Sequence, residues 1–287
     1  MSTRATLKTL MERRQAVVVP GAPNAMTARI IADLGFEAVY VTGAGVTNFE
    51  LGVPDLGLIT LTELAETVAR MRDAVELPLI VDADTGFGNA VNVTRTMRVL
   101  ERAGADAIQL EDQDFPKKCG HFSGKAVIPT VEMVQKIRAA ADSRRDANLQ
   151  IIARTDARAV EGIDAALERA VAYIAAGADA TFVEAPESKG EMSRIGKLMA
   201  PQVVNIVHGG KTPSVSQAGL AEMGFGIVLY ANAALQAAVH GMQAALGALK
   251  RDGDLSKTGD LLASFAERQR LVDKPHFDAL ERKYKTP

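Results

Sequence analysis

The segment Glu111 to Lys125, EDQDFPKKCGHFSGK, holds the only cysteine of the chain, Cys119. Structural zinc needs about four ligands, and Cys119 with His121 supplies two. A cysteine–histidine nucleophile pair needs its side chains face to face, which residues two apart in a loop rarely achieve. A free cysteine is often a small buried hydrophobe, yet Lys117, Lys118, Gly120, His121, Gly124 and Lys125 make this segment polar. Nearby cations lower a thiol pKa towards neutrality. A thiol so tuned is a good general acid. Gly120 and Gly124 suggest hinges, so residues 113 to 126 are expected to form a mobile lid.

Further chemistry lies elsewhere in the chain. Asp82 and Asp84 in LIVDADTGFGN are two apart on an expected strand and so share a face. With Glu111 or Asp112 they would make an all-oxygen site, which favours Mg²⁺ or Mn²⁺ over zinc. The plainer alternative is a solvated strand end with loop glycines at Gly86 and Gly88. A calcium-binding helix–loop–helix is excluded, because the twelfth position from Asp82 is Val93. Arg154 ends another strand and suits a two-pronged carboxylate clamp; the alternative is an ion pair with Glu184. Thr42-Gly43-Ala44-Gly45 offers backbone N–H groups to an anion, or is simply a tight turn.

These residues need a scaffold that brings strand ends together. Val/Ile-rich runs begin at Ala16, Ala38, Leu79, Ala107, Gln150, Ala180, Val203 and Ile227, as buried parallel strands should. Amphipathic helical patterns lie between them, with N-cap candidates at Asn24, Thr60, Asn89 and Thr130. Gly35, Gly104, Gly177 and Gly224 stand where left-handed helix caps are expected. Eight strands alternating with helices predict an α/β fold, a (β/α)₈ TIM barrel with its active site at the C-terminal strand ends. An open doubly wound sheet is the alternative, weakened by the lack of GxGxxG after the first strand. No Pro/Gly/Ser-rich linker divides the chain, so residues 1–287 read as one barrel domain. Residues 253–287 form a C-terminal helical extension expected to pack on a neighbouring subunit.

Composition narrows the partners. Lys and Arg number 33 against 35 Asp and Glu, with no basic block, so nucleic acid is not an expected partner. One cysteine allows no internal disulfide. No apolar run is long enough for a membrane span. The N-terminal residues read as an amphipathic helix (Leu7, Leu10, Met11) rather than a signal peptide. A soluble cytoplasmic protein is the expectation.

Taken together, YVTGAG, PDLGLIT, DADTGFGN, EDQ…KKCGH, ARTDA, VEAP and NIV resemble the isocitrate lyase/phosphoenolpyruvate mutase superfamily, from about Val19 to the eighth strand. The resemblance implies a barrel whose last helix is exchanged with a neighbour, in a homotetramer built as a dimer of dimers. It implies Mg²⁺ nearest Asp84, with Asp82, Asp55 and Glu111 acting largely through water. Thr42, Gly43, Ala44, Gly120, Arg154, Glu184 and Asn205 match substrate-binding positions. Cys119 matches the catalytic cysteine of the lyase branch, with Lys118 and His121 beside it. Tyr40 matches a candidate base; a metal-bound water is the alternative. The implied reaction is retro-aldol cleavage of a 2-hydroxy di- or tricarboxylate to pyruvate or glyoxylate. The other readings are a carboxyphosphonoenolpyruvate or phosphonopyruvate mutase, or an oxaloacetate decarboxylase or hydrolase. Lyases of the family usually carry Ser at position 42. Val207-His208-Gly209-Gly210-Lys211 resembles the dimethylmalate lyase and carboxyphosphonoenolpyruvate mutase branches, which favours a substituted malate.

Overall fold

The structure, a computed structural model, describes residues 2–118, 124–256 and 258–286. Each Val/Ile-rich run becomes a strand: β1 (Val17–Ala22), β2 (Val39–Val41), β3 (Leu79–Asp82), β4 (Ala107–Glu111), β5 (Gln150–Thr155), β6 (Ala180–Val183), β7 (Gln202–Asn205) and β8 (Phe225–Tyr230). All pair in parallel in chain order, and β1 also pairs with β8, closing the (β/α)₈ barrel. That closure removes the open-sheet alternative. β1 runs through Pro20, and Pro20 is in register with Tyr230.

Local signals set the helix boundaries. Thr60 and Glu63 form a reciprocal capping box: the Glu63 N–H donates to Thr60 Oγ1, and the Thr60 N–H donates to Glu63 Oε2 at 2.8 Å. Asn89 does the same with Asn92, and Asn24 caps its own helix. The expected cap at Thr130 is displaced by one residue. Helix Thr130–Ser143 begins at Thr130, with Pro129 at the cap position and no side-chain capping bond. The proline ring presets the extended entry, so the hydroxyl is not needed. Gly35, Gly104, Gly177 and Gly224 all have positive φ, as their places after helices require.

Alternation along the strands divides the barrel interior into two zones. Val17, Val19, Ile80, Ala107, Ile152, Ala180, Val203, Ile227 and Leu229 form one buried cluster. Leu7, Leu10 and Met11 of helix Thr3–Glu12 join it and close its N-terminal end. Continuing in steps of two towards the C-terminal ends, the same faces reach Thr42, Asp82, Glu111, Arg154, Glu184 and Asn205. An apolar plug thus lies beneath a charged mouth, the usual distribution for this architecture.

Beyond the barrel, helix Ala233–Asp252 buries only Ala248. Val239, Met242 and Leu246 on it are exposed. Helices Phe265–Leu271 and Lys274–Tyr284 follow, and Arg270 pairs with Asp33 at 2.6 Å. Among the described residues no helix is long and apolar enough to cross a membrane.

The closure of the barrel mouth yields a stability prediction. A Cβ at Gly21 would lie 2.0 Å from the Ala231 carbonyl oxygen, backbone that cannot step aside. Gly21→Ala should destabilise the fold by about 3 kcal/mol in urea unfolding. Gly35→Ala has a φ of +81° and no neighbour within 4 Å, and should cost about 1 kcal/mol, from backbone strain alone.

Candidate active site

Nine of the expected residues line one cavity: Tyr40, Thr42, Ala44, Asp55, Asp82, Lys118, Arg154, Glu184 and Asn205. It has a volume of about 30 Å³, room for a few waters. Gly43 belongs to its wall, since a Cβ there would lie 3.2 Å from Asp82 and 3.4 Å from Asp84. Glu111 reaches it through Arg154, and Asp84 through Lys117. Cys119, Gly120 and His121 lie outside the described residues. A roomier hollow of about 530 Å³, between Leu58, Phe87, Phe115 and Lys136, contains none of the candidates.

The segment after β2 is the start of a helix rather than a free turn. Thr42 caps the short helix Gly43–Val46, its hydroxyl accepting from Gly45 N–H at 3.3 Å. The first N–H groups of a helix have no intrahelical acceptor, so those of Gly43 and Ala44 are the ones an anion could use. After β3 the backbone bends sharply. Asp84 has a φ of +48°, a conformation that costs a non-glycine residue roughly 1 kcal/mol or more. Ala185, next to Glu184, is also left-handed at +53°. These two left-handed residues stand at the barrel mouth; Arg14, Ala16, Phe87 and Asp273 share the conformation elsewhere in the chain.

Lys117 organises the acid cluster. Its ammonium pairs with Asp55, and lies 2.7 Å from Asp84. Burial pulls the Lys117 pKa down, but the surrounding carboxylates, Asp84 and Glu111 foremost, outweigh it and hold the group charged. Burial pushes Asp84 up to about 7, with Lys117 opposing and Asp82 and Asp55 adding to the rise. Spacing alone did not separate Lys117 from Lys118. Lys118 also lines the cavity, but its ammonium donates to the Gly124 carbonyl at 2.7 Å.

Arg154 is held by three carboxylates. Its Nε and Nη2 donate to Asp156 at 2.9 and 3.2 Å. Glu111 lies 3.2 Å from Nε and Glu184 3.9 Å. The expected Glu184 pair is therefore the most distant of the three. Burial disfavours the guanidinium charge, but Asp156, Glu111 and Glu184 more than restore it. Phe182 lies beneath, 5.4 Å from the guanidinium carbon to the ring centre. Burial raises Glu111 well above the usual carboxylate range, despite Arg154 beside it.

Lys117, Gln109 and Asp156 were not anticipated, nor were Phe182, Ala231 and Asn232 in the cavity lining. Gln109 donates to the Tyr40 hydroxyl at 3.1 Å and to Asp82 at 3.2 Å. Asp156 and Gln109 each lie two residues from an expected site residue, so strand alternation carried the signal. Burial, followed by the charge of Asp82, raises the Tyr40 phenol well above its ordinary value. A buried phenol of that kind keeps its proton at neutral pH, which suits a hydrogen-bonding role better than that of a base.

The donor set bears on a metal. Among the described residues no three of His, Cys, Asp and Glu stand close enough together to clasp an ion directly. Mg²⁺ binds through one or two carboxylates and keeps several waters. Asp84 with Asp82 or Asp55 behind it satisfies that requirement. Glu111 Oε1, buried with no hydrogen-bond partner among the described residues, leaves a further acceptor for a water.

Comparison with known proteins gives a consistent picture. Residues 7–250 match the phosphoenolpyruvate phosphomutase family. The chain is 45% identical to a 2,3-dimethylmalate lyase of Eubacterium barkeri over 287 residues, 100% of this chain and 99% of that one. It is 45% identical to a 2-methylisocitrate lyase of Aeropyrum pernix over 267 residues, 93% of this chain and 86% of the other. A solved 2,3-dimethylmalate lyase structure superposes with a TM-score of 0.92 at 32% identity, covering 99% and 95% of the two chains.

The two neighbouring lysines give a paired test. Lys117→Met leaves buried Asp55 and Asp84 without their counter-charge, and should destabilise the metal-free protein by about 3–5 kcal/mol in urea. Lys118→Met removes only an exposed bond to a carbonyl and should change stability by about 0.5 kcal/mol or less.

Proposed function

Because the chain belongs to the phosphoenolpyruvate phosphomutase family, we propose that it is a carbon–carbon lyase, one that cleaves a substituted malate to pyruvate and a smaller carboxylate. The observation that carries this reading is the setting of Arg154. Asp156 holds one edge of its guanidinium, leaving the other for a substrate carboxylate opposite the aspartate cluster. A 2-hydroxy acid has the matching groups: a carboxylate for Arg154 and the N–H groups after Thr42, and a hydroxyl for the aspartate side.

Mg²⁺, held by Asp84 with Asp82, Asp55 and Glu111 behind it, would polarise the 2-oxygen and offset the charge that develops there. A water held at the aspartate side would take the hydroxyl proton, and that transfer drives the break: the C2–O bond becomes a carbonyl, and the C2–C3 pair leaves on the departing fragment. Arg154 and Lys117 supply fixed positive charge near that anion. Glu184, beside Arg154, and Asn205 at the end of β7 orient the substrate. We assign to Cys119 the protonation of the departing carbon, with His121 tuning the thiol. The segment that carries both runs from Lys118, at the cavity, to Lys125, which pairs with Asp156 at 2.5 Å.

Phe182, Ala231 and Asn232, none of them charged, complete the lining of the cavity. The resemblance of the loop after β7 to the dimethylmalate lyase branch favours an alkyl-substituted dicarboxylate over a tricarboxylate. A phosphonate mutase would gain from the loop after β7, but His208, Gly209 and Gly210 line a separate hollow of about 600 Å³ with Tyr230 and Gln236. A second copy covering the apolar residues of helix Ala233–Asp252 fits a homotetramer.

Two experiments test these readings. With Mg²⁺, a panel of dimethylmalate, methylisocitrate, isocitrate, citramalate, oxaloacetate and phosphonopyruvate should give pyruvate from a malate-type acid. Chelation should abolish the activity, and Cys119→Ser should lower kcat about 10²-fold or more. Phosphonopyruvate turnover without C–C cleavage would sink the proposal. Light scattering should find a tetramer, and Met242→Glu with Leu246→Glu should yield smaller species; an unchanged assembly removes that face from the interface.

A further inference from the structure

Behind Arg154 lies a network of which the proposed chemistry uses only the Asp156–Arg154 contact. The Asp156 side chain is fully buried, and two cations meet on it. Its Oδ2 accepts from Arg154 Nε at 2.9 Å. Its Oδ1 accepts from Arg154 Nη2 at 3.2 Å and from Lys125 Nζ at 2.5 Å. Its backbone N–H donates to Asp112 Oδ1 at 2.9 Å. Asp112 is immobilised in turn: its Oδ2 accepts from the Thr155 and Tyr173 hydroxyls, each at 2.7 Å, and lies 3.3 Å from Arg169 Nη1. Main chain and side chain of Asp156 are thus fixed by separate groups.

The geometry points to Asp156 as a positioning residue that aims Arg154 at substrate and ties that aim to the docking of Lys125. A guanidinium has a side-on edge, Nε with Nη2, and an end-on edge, Nη1 with Nη2. Asp156 takes the side-on edge, so the end-on edge is the one presented to an incoming carboxylate. The competing arrangement is visible in the distances. Glu111 at 3.2 Å and Glu184 at 3.9 Å both lie within reach of Nε. Without the Asp156 charge the fork would turn towards them and its free edge would swing away. Lys125 acts through the same oxygen atom that holds Nη2. Its ammonium keeps Asp156 ionised and in place, and burial, the largest opposing influence, is outweighed by the two cations. Lys125 reaches this carboxylate from outside β5, across 31 residues of chain.

This inference rests on the lyase reading only for the choice of substrate; a binding measurement tests it without turnover. Oxalate serves as the carboxylate probe, titrated calorimetrically into protein saturated with Mg²⁺. Asp156→Asn keeps the shape and removes the charge, and should weaken oxalate roughly 10–100-fold, the size expected for a misdirected charged hydrogen bond. Lys125→Met should weaken it roughly 3–10-fold, and Lys125→Arg should recover most of that loss. The double variant Asp156→Asn/Lys125→Met should bind no worse than Asp156→Asn alone, because both act through one carboxylate. With the substrate identified above, KM should rise in both single variants more than kcat falls. Unchanged oxalate binding in Asp156→Asn overturns the proposal, as do additive losses in the double variant. If Asp156→Asn does not fold, the comparison of Lys125→Met with Lys125→Arg decides: equal binding by the two overturns it.

Discussion

Charge without water is the constraint on which the barrel mouth depends. Arg154, Lys117 and Lys125 carry side chains almost wholly withdrawn from solvent. Isolated cations in that position would cost several kcal/mol each. They are tolerated because Asp55, Asp82, Asp84, Glu111, Asp156 and Glu184 surround them. Among the described residues, six carboxylates against these three and Lys118 leave an excess of negative charge, which must be relieved. Protonation is one route, and burial eases it at Asp84 and Glu111 by raising both pKa values. A divalent cation is the other, and it would relieve the same excess while keeping the carboxylates ionised. The acid cluster is therefore incomplete as a set of protein charges alone, and this favours a metal more than any one ligand distance does.

The upper barrel wall is well suited to such a cluster. A charged group needs firm neighbours, and the barrel wall provides them because every second residue of each strand points inward. The lower layers of that wall are Val, Ile and Ala, closed from below by Leu7, Leu10 and Met11. That plug is one of three buried apolar clusters, with larger strand–helix packing outside the barrel, and it leaves the upper layer for charges. The backbone strain at Asp84 and Ala185 follows from the same division. Each strand end must turn at once to keep its carboxylate over the barrel axis, and the plug beneath supplies the stability that such turns consume.

Much of this was readable before any coordinates. The eight strands, their order around a closed barrel, and the glycines after the helices follow from short-range patterning, which survives in the fold because local and global preferences agree. Thr42, Ala44, Asp82, Arg154 and Glu184 stand out when each strand end is inspected, whereas Tyr40, Asp55, Lys118 and Asn205 follow from the family resemblance; strand alternation, at two residues' distance, also gives Gln109 and Asp156. Lys117 was not readable in this way. The segment that bears it has no periodicity, and its course is set by pairings such as Asp114 N–H with the Ala126 carbonyl, which sequence spacing does not encode. Whether Lys117 or Lys118 meets the acids depends on that course. Thr130 shows the converse case, a sound capping residue made redundant by the proline before it.

The Arg-Thr-Asp run at the end of β5 has a physical rationale. Lysine in place of Arg154 could neutralise the same carboxylates, but a rotating ammonium has no edges to assign. The guanidinium does: an aspartate two residues on, sharing its strand face, takes one edge and thereby defines the other. Thr155, between them, points to the opposite face and bonds to Asp112, which in turn holds the Asp156 main chain. Three consecutive residues thus supply the clamp, the brace that directs it and the tie that fixes the brace. A site that must place a carboxylate in one orientation beside a scissile bond needs such a directional cation, whereas a site that merely attracts anions does not.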